Sequence, residues 1–339
     1  MPGQVRYITS YPPGKPEMKI SSCVSLMLLM AVACLYPPPV RAQAEEADDK
    51  IHVETELVDL NVSVFNHDPA RAVGQLEQKD FVVLEDGAPQ EIAFFASAAT
   101  PFDLVLLLDL SGSTSDKLDL IRRSARRFVE AARPTDRISI VTFTDEARLV
   151  SPLTSDRKAL LKRIKKIKRL DGGTNFWDAL RYVMENVLGK SNASQRSAVV
   201  VMTDGVDNAL PDVVGDGSQT PFDELLEMVR QSETIVLPIY LDTEREMVGQ
   251  LRATEMTYLL ARQQLAQLAT ESGSLVYQAR KVEDLNGVYE QVIRDLGTVY
   301  SLGYRPANRL RDGKWRTVTV RLVSRPELAT RTRRGYYAK

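Results

Sequence analysis

The chain has little cysteine and little histidine. Two of its 339 residues are cysteine, Cys23 and Cys34, and both precede residue 45. A disulfide framework for the rest of the chain is therefore excluded, as is a cysteine-rich zinc site. The two histidines, His52 and His67, stand ahead of the region where strands and helices alternate. A Ser-His triad in that region is excluded. Net charge is missing too: 44 Lys and Arg against 45 Asp and Glu leave −1. So even a balance does not mark the whole chain as a nucleic-acid binder. There is no phosphate loop of the Gly-x-x-x-x-Gly-Lys type. Beyond the N-terminal segment, no apolar run is long enough to span a bilayer.

The hydrophobic fraction, 44%, and the charged fraction, 26%, are ordinary for a globular protein of one large or two modest domains. At the N-terminus, Lys19 precedes the apolar stretch 24–35, then Pro37-Pro38-Pro39, then Ala42-Gln43-Ala44. A positive start, a short apolar core and an Ala-x-Ala site predict a secretory signal over 1–44, followed by an acidic leader at 45–50. Met18 is an alternative start. Cleavage after Ala44 leaves a cysteine-free protein exported to the periplasm, the cell surface or the medium. Two alternatives stay open. Ala31-Val32-Ala33-Cys34 loosely resembles a bacterial lipobox, which would place a lipid anchor on Cys34, and the apolar stretch would otherwise serve as an uncleaved membrane anchor.

Three regions follow. Residues 51–99 read as β: an apolar pattern through Val53, Leu57, Leu60, Val62 and Val64, then strands at 81–84 and 90–95 flanking the turn Glu85-Asp86-Gly87. Residues 101–299 alternate strands and helices. Strands are expected at 104–108, 137–143, 198–202, 234–240 and 275–277, with 148–153 as a hairpin partner. Helices are expected at 116–132, 156–169, 175–188, 222–231, 256–271 and 282–296. The continuous apolar runs 104–108 and 198–202 suit strands buried on both faces. This alternation predicts an α/β fold, a doubly wound and mostly parallel sheet. Residues 300–339 return to β, with strands at 300–304, 316–323 and 328–337. Isolated strand pairs are marginal, so the two β ends are expected to pool into one sandwich, with the α/β region inserted between them.

The chemistry concentrates at two strand ends. The first buried strand runs into Asp109-Leu110-Ser111-Gly112-Ser113, and the second into Thr203-Asp204-Gly205. Open α/β sheets place ligands at the carboxyl edge of the strands. Gly112 is expected to let the chain bend tightly between the serines. The loop Asp171-Gly172-Gly173-Thr174 brings a further hydroxyl towards the same edge. Two carboxylates and three hydroxyls form an all-oxygen set, which suits a hard cation. The neutral hydroxyls leave such an ion open to an extra carboxylate.

Asp109, Ser111 and Ser113, with the later Thr174 and Asp204, resemble the metal-ion-dependent adhesion site of the von Willebrand factor type A family. The resemblance covers roughly 101–299 and fills all five positions. It implies a Rossmann-like fold, bound Mg²⁺ or Mn²⁺, and a partner protein that completes the metal shell with an Asp or Glu. The flanks resemble a bacterial exported group, through Lys79-Asp80-Phe81, Glu85-Asp86-Gly87 and Leu302-Gly303-Tyr304. The expected role is thus a metal-dependent adhesion or scaffold module and not an enzyme. One alternative is a magnesium-dependent hydrolase or phosphatase, which Ser111 disfavours by standing where a haloacid-dehalogenase-like site needs a second aspartate. A purely structural metal is the other.

Weaker signals carry two readings each. Asp116 resembles the residue that holds an adjacent calcium in integrin β-type domains, and is otherwise an acidic residue at a helix start. Asp207 and Asn208 either rim the metal loop or sit in a solvated turn. Lys158, Lys162, Arg163, Lys165, Lys166, Lys168 and Arg169 make the helix over 157–169 strongly basic. This face would meet an acidic partner or membrane headgroups, or simply be solvated. The helix at 282–296 matches the position of the mobile helix of integrin-type relatives, and is otherwise a fixed packing helix.

Overall fold

The computed structural model describes residues 57–68, 71–112, 117–170, 172–189, 196–244, 254–323 and 325–338. The expected export signal, the acidic leader, Ser113 and Asp116 lie outside the described residues. In chain order the elements are β1 (Val58–Asn66), β2 (Phe81–Glu85), β3 (Ala88–Gln90), β4 (Ile92–Ala96), β5 (Phe102–Asp109), α1 (Leu118–Ala131), β6 (Arg137–Phe143) and β7 (Ala147–Thr154). Then come α2 (Arg157–Ile164) and α3 (Phe176–Tyr182), which continues as a π-helical turn over Val183–Leu188. They are followed by β8 (Arg196–Thr203), α4 (Phe222–Gln231), β9 (Ile235–Leu241), α5 (Glu255–Glu271) and β10 (Tyr277–Ala279). The chain ends with α6 (Leu285–Leu296), β11 (Val299–Tyr304), β12 (Trp315–Leu322), β13 (Leu328–Arg331) and β14 (Gly335–Tyr337). Among the described residues no helix is long and apolar enough to cross a membrane.

The central sheet has six strands in the order β10-β9-β8-β5-β6-β7. All neighbours are parallel except β6 and β7, which form an antiparallel hairpin. From β5 the chain winds outward to β6 and β7, then returns to the other side of β5 for β8, β9 and β10. The order therefore reverses between β5 and β8, which is where doubly wound sheets open a crevice. Every residue of β5 is buried. Leu104, Leu106 and Leu108 pack into one core with α1, α2 and α6, and Val105 and Leu107 into the other with α3, α4 and α5. The continuous apolar run is the consequence of helices on both faces.

Each helix has a local cause. In α1, Ile121, Ala125, Phe128 and Val129 make the buried stripe, and Phe128 meets Tyr289 of α6 edge-on at 5.5 Å. The Asp156 carboxylate caps α2 by accepting from the Ala159 amide at 3.0 Å. Thr254 caps α5 by accepting from the Thr257 amide at 3.2 Å.

The flanking strands form two four-stranded antiparallel sheets, β13-β1-β11-β4 and β14-β12-β2-β3. Each mixes strands from before and after the α/β region, so neither end completes a sheet alone. Leu60 and Val62 of β1, Leu302 of β11, Val83 of β2 and Val320 of β12 share one core. A buried Glu85 at the end of β2 accepts from Tyr304 Oη at 2.6 Å and Tyr336 Oη at 2.9 Å, tying the two sheets together.

Five expectations change. The strand expected at 90–95 is split, with Gln90 closing β3 and Ile92 opening β4 in the other flanking sheet. The helix expected over 156–169 stops at Ile164. The chain then tightens into i→i+3 bonds, with the amides of Lys166 and Ile167 donating to Arg163 and Ile164. Arg122 of α1 takes the Ile167 carbonyl at 2.9 Å. Cations at 162, 165, 166 and 169 face one another at helical spacing, which disfavours continuing the helix. The single strand expected at 328–337 is two, because the chain changes sheets between β13 and β14. Within that crossing Arg333 donates to the Asp59 carbonyl at 2.7 Å. The strand expected at 275–277 begins at Tyr277, where its ladder with β9 starts opposite Ile239. The C-terminal helix begins with a 3₁₀ turn at Val282–Asp284.

Candidate metal centre

Asp109 closes β5 with no exposed surface, and its oxygens are already oriented. Oδ1 accepts from the Ser111 amide at 2.9 Å and Oδ2 from the Thr203 hydroxyl at 2.7 Å. The first bond folds the chain back over the strand end, so that Ser111 and Asp109 face the same place. Leu110 keeps this turn in line with the sheet by donating its amide to the Phe143 carbonyl at 3.0 Å. Gly112 has no positive φ, and among the described residues a Cβ there would meet nothing within 4 Å.

Asp204 follows β8 and is 2% exposed. Its Oδ1 accepts from the Val206 amide at 3.1 Å and its Oδ2 from the Thr243 hydroxyl at 2.8 Å. Gly205 adopts φ +78, and a Cβ on it would come within 2.8 Å of Leu265 Cδ1. The positive φ favours glycine at this turn, and a methyl would also push Leu265 aside. Burial, and after it the nearby Asp204 charge, push the Asp109 carboxyl up to about 7, against hydrogen bonds from Ser111 and Thr203 that favour its ionised form. Two acidic side chains thus meet in a dry place at one sheet edge.

Thr174 arrives from a third segment. It is 7% exposed. Its amide donates to Asn208 Oδ1 at 3.2 Å, and its carbonyl accepts from the Asn208 amide at 2.9 Å. The Asp204 loop therefore holds it directly. A methyl on either of the two glycines before it would displace a side chain that holds this loop. A Cβ on Gly172 would lie 2.3 Å from Asp145 Oδ2, and one on Gly173 would lie 2.1 Å from Asn208 Nδ2. Asp145 also accepts the Gly173 amide at 2.6 Å. Asp109, Ser111 and Asp204 are thus brought together, and Thr174 is held against the Asp204 loop.

Asp207 does not sit in a solvated turn. It is fully buried and accepts from the amides of Trp177, Ala209 and Ser218 and from the Ser218 hydroxyl. It joins the start of α3 to the loop after β8. Asn208, one of the two residues read as a possible rim of the loop, holds Thr174 there; Thr203, Thr243 and Asp145 also hold the site, and the sequence reading does not single them out. Thr203 carried a signal, a hydroxyl beside the strand-end aspartate. Thr243 carried none, because its role depends on β9 lying beside β8.

The described donors fit a hard divalent ion. All are oxygens, the two carboxylates repel until a cation lies between them, and the flanking amides and hydroxyls fix their directions. Among the described residues there is no cluster of three His, Cys, Asp or Glu side chains that could hold a metal.

A family model for the von Willebrand factor type A domain matches residues 104–206. That span includes Asp109, Ser111, Ser113, Thr174 and Asp204. The chain is 22% identical over 213 residues to a UPF0353 protein of Nocardia farcinica, covering 60% of this chain and 63% of that protein. It is 26% identical over 117 residues to the collagen alpha-1(VI) chain of Gallus gallus, covering 32% of this chain and 12% of that one. It thus spans less than two thirds of each of these relatives. Among solved structures it is similar to the vWF domain of the type V pili tip protein Mfa5 from Porphyromonas gingivalis, with 14% identity and a TM-score of 0.42 over 57% of this chain and 94% of that one.

Proposed function

Because the chain carries a von Willebrand factor type A domain at residues 104–206, a family of protein-interaction modules, we propose that it is an exported, metal-dependent binding protein. Asp109, Ser111, Ser113, Thr174 and Asp204 hold Mg²⁺ or Mn²⁺. Bound there, the ion supplies a Lewis-acidic position for an Asp or Glu of a partner protein. The observation that carries this reading is the pairing of Asp109 and Asp204, both buried and each oriented by a threonine hydroxyl. Burying two neighbouring carboxylates costs stability unless a cation compensates. Ser111 and Thr174 add neutral donors and leave the remaining charge for the partner.

The site binds and does not catalyse. Its donors are carboxylates and hydroxyls with no histidine beside them among the described residues, and Ser111 holds the position where a phosphoryl-accepting pair would need a second aspartate. Export rests on residues 1–44, and N-terminal sequencing of the protein from its native envelope, beginning at Glu45, tests it.

Thermal unfolding tests the metal. An ion that binds only the folded chain stabilises it by about 2.7 kcal/mol at a hundredfold excess over its Kd. Mg²⁺ should raise the Tm of the wild type and leave that of Asp204→Ala unmoved. Equal shifts in both would refute the assignment.

A further inference from the structure

Beside the strand-end site lies a recess of about 270 Å³ between β7 and the segment after α2. Its floor includes Leu110 and Ile167, 2% and 5% exposed. Leu110 stands between Asp109 and Ser111 in the chain, so the recess and the proposed metal position share a wall. Around it stand the cationic side chains of Arg148, Arg163, Lys166 and Lys168. Among the described residues none of the four forms an ion pair with a carboxylate. Arg163 donates to the Val150 carbonyl at 2.9 Å, and the bond from Arg122 to the Ile167 carbonyl fixes the lysine-bearing turn. The cations therefore surround an apolar floor, with Arg163 anchored by its bond to Val150, although the chain as a whole has a net charge of −1.

We propose that this recess receives an acidic stretch of the partner protein, with one apolar side chain seated on Leu110 and Ile167 and flanking carboxylates facing the cations. The proposal rests on the metal reading, since the same partner segment would supply the carboxylate at the ion. Charge complementarity selects an acidic occupant. The recess selects a chain segment over a membrane, because a flat layer of headgroups would reach the exposed lysines and leave the apolar floor unfilled.

The test is fluorescence anisotropy of the full chain in Mg²⁺ at low salt. The probe is a short labelled peptide of Asp and Leu residues, set beside its Asn and Leu counterpart and phosphatidylserine vesicles. The wild type should prefer the acidic peptide, and salt should weaken binding. Lys166→Glu with Lys168→Glu should weaken it by at least about tenfold, with Mg²⁺ affinity by calorimetry equal to wild type. Both lysines are exposed, so the variant keeps the fold. Peptide binding indifferent to the two lysines, equal binding of the Asn peptide, or capture of vesicles without peptide would overturn the proposal. Loss of Mg²⁺ uptake by the wild type would instead overturn the metal reading. A second peptide titration without Mg²⁺ distinguishes failure of the recess from failure of the metal site.

Discussion

The hydroxyl of Thr243 donates to Asp204 Oδ2 at 2.8 Å, so the residue that follows β8 is oriented from beyond the end of β9. Thr243 is itself fully buried and lies 3.3 Å from the Tyr258 hydroxyl of α5. Residues that orient ligands without touching the ion commonly change metal affinity by tenfold or more. Thr243→Val should lower Mg²⁺ affinity about tenfold, and Thr243→Ser should restore it. A purely structural role would lower the Tm of Thr243→Val and leave Mg²⁺ affinity unchanged.

Gly173 should not tolerate a methyl group. The Cβ would sit 2.1 Å from Asn208 Nδ2 and 2.8 Å from Asp145 Oδ1, the two side chains that hold the Thr174 loop. Gly173→Ala is expected to cost about 1–3 kcal/mol in urea unfolding and to weaken Mg²⁺ binding by displacing Thr174. Gly112→Ala is the control, since among the described residues its Cβ meets nothing within 4 Å, and its stability should match wild type. Equal behaviour of the two variants would contradict the packing at Gly173 as the cause.

Arg196 ties the α/β region to the flanking sheets. Its guanidinium donates to the Val299 carbonyl at 2.6 Å, to Ala98 at 3.3 Å and to Thr100, and stacks 4.1 Å from the centre of the Phe102 ring. Both chain crossings between the regions thus meet at one side chain. Burial, with repulsion from Arg133, lowers its pKa to about 10, and it stays charged at neutral pH. Arg196→Met would leave buried carbonyls without donors, and should destabilise the fold by about 3 kcal/mol. A change below about 0.5 kcal/mol would show that these carbonyls find other partners.

Much of this was legible in the sequence, and the reasons are local. The unbroken apolar runs ending at Asp109 and Asp204 announced strands buried on both faces, and an acid at the end of such a strand has one place to be. The pooled β ends followed from the weakness of isolated strand pairs. What stayed hidden depends on distant neighbours. Thr243 matters because β9 lies beside β8, and Arg196 because Ala98 and Val299 converge on it. The helix after Asp156 is shorter than its pattern because Arg122, 45 residues from Ile167, captures a carbonyl there. Asp207 looked like a turn residue and proved to be a buried junction, because its partners at Trp177 and Ser218 are remote in sequence.

Binding of a divalent cation by this strand-end set is what the proposed function stands on. Calorimetric titration of the folded chain with Mg²⁺, wild type beside Asp109→Ala, tests it most directly. A saturating one-site isotherm is predicted for the wild type and none for the variant, with both folded by circular dichroism. The same isotherm in both, or none in the wild type, would contradict it.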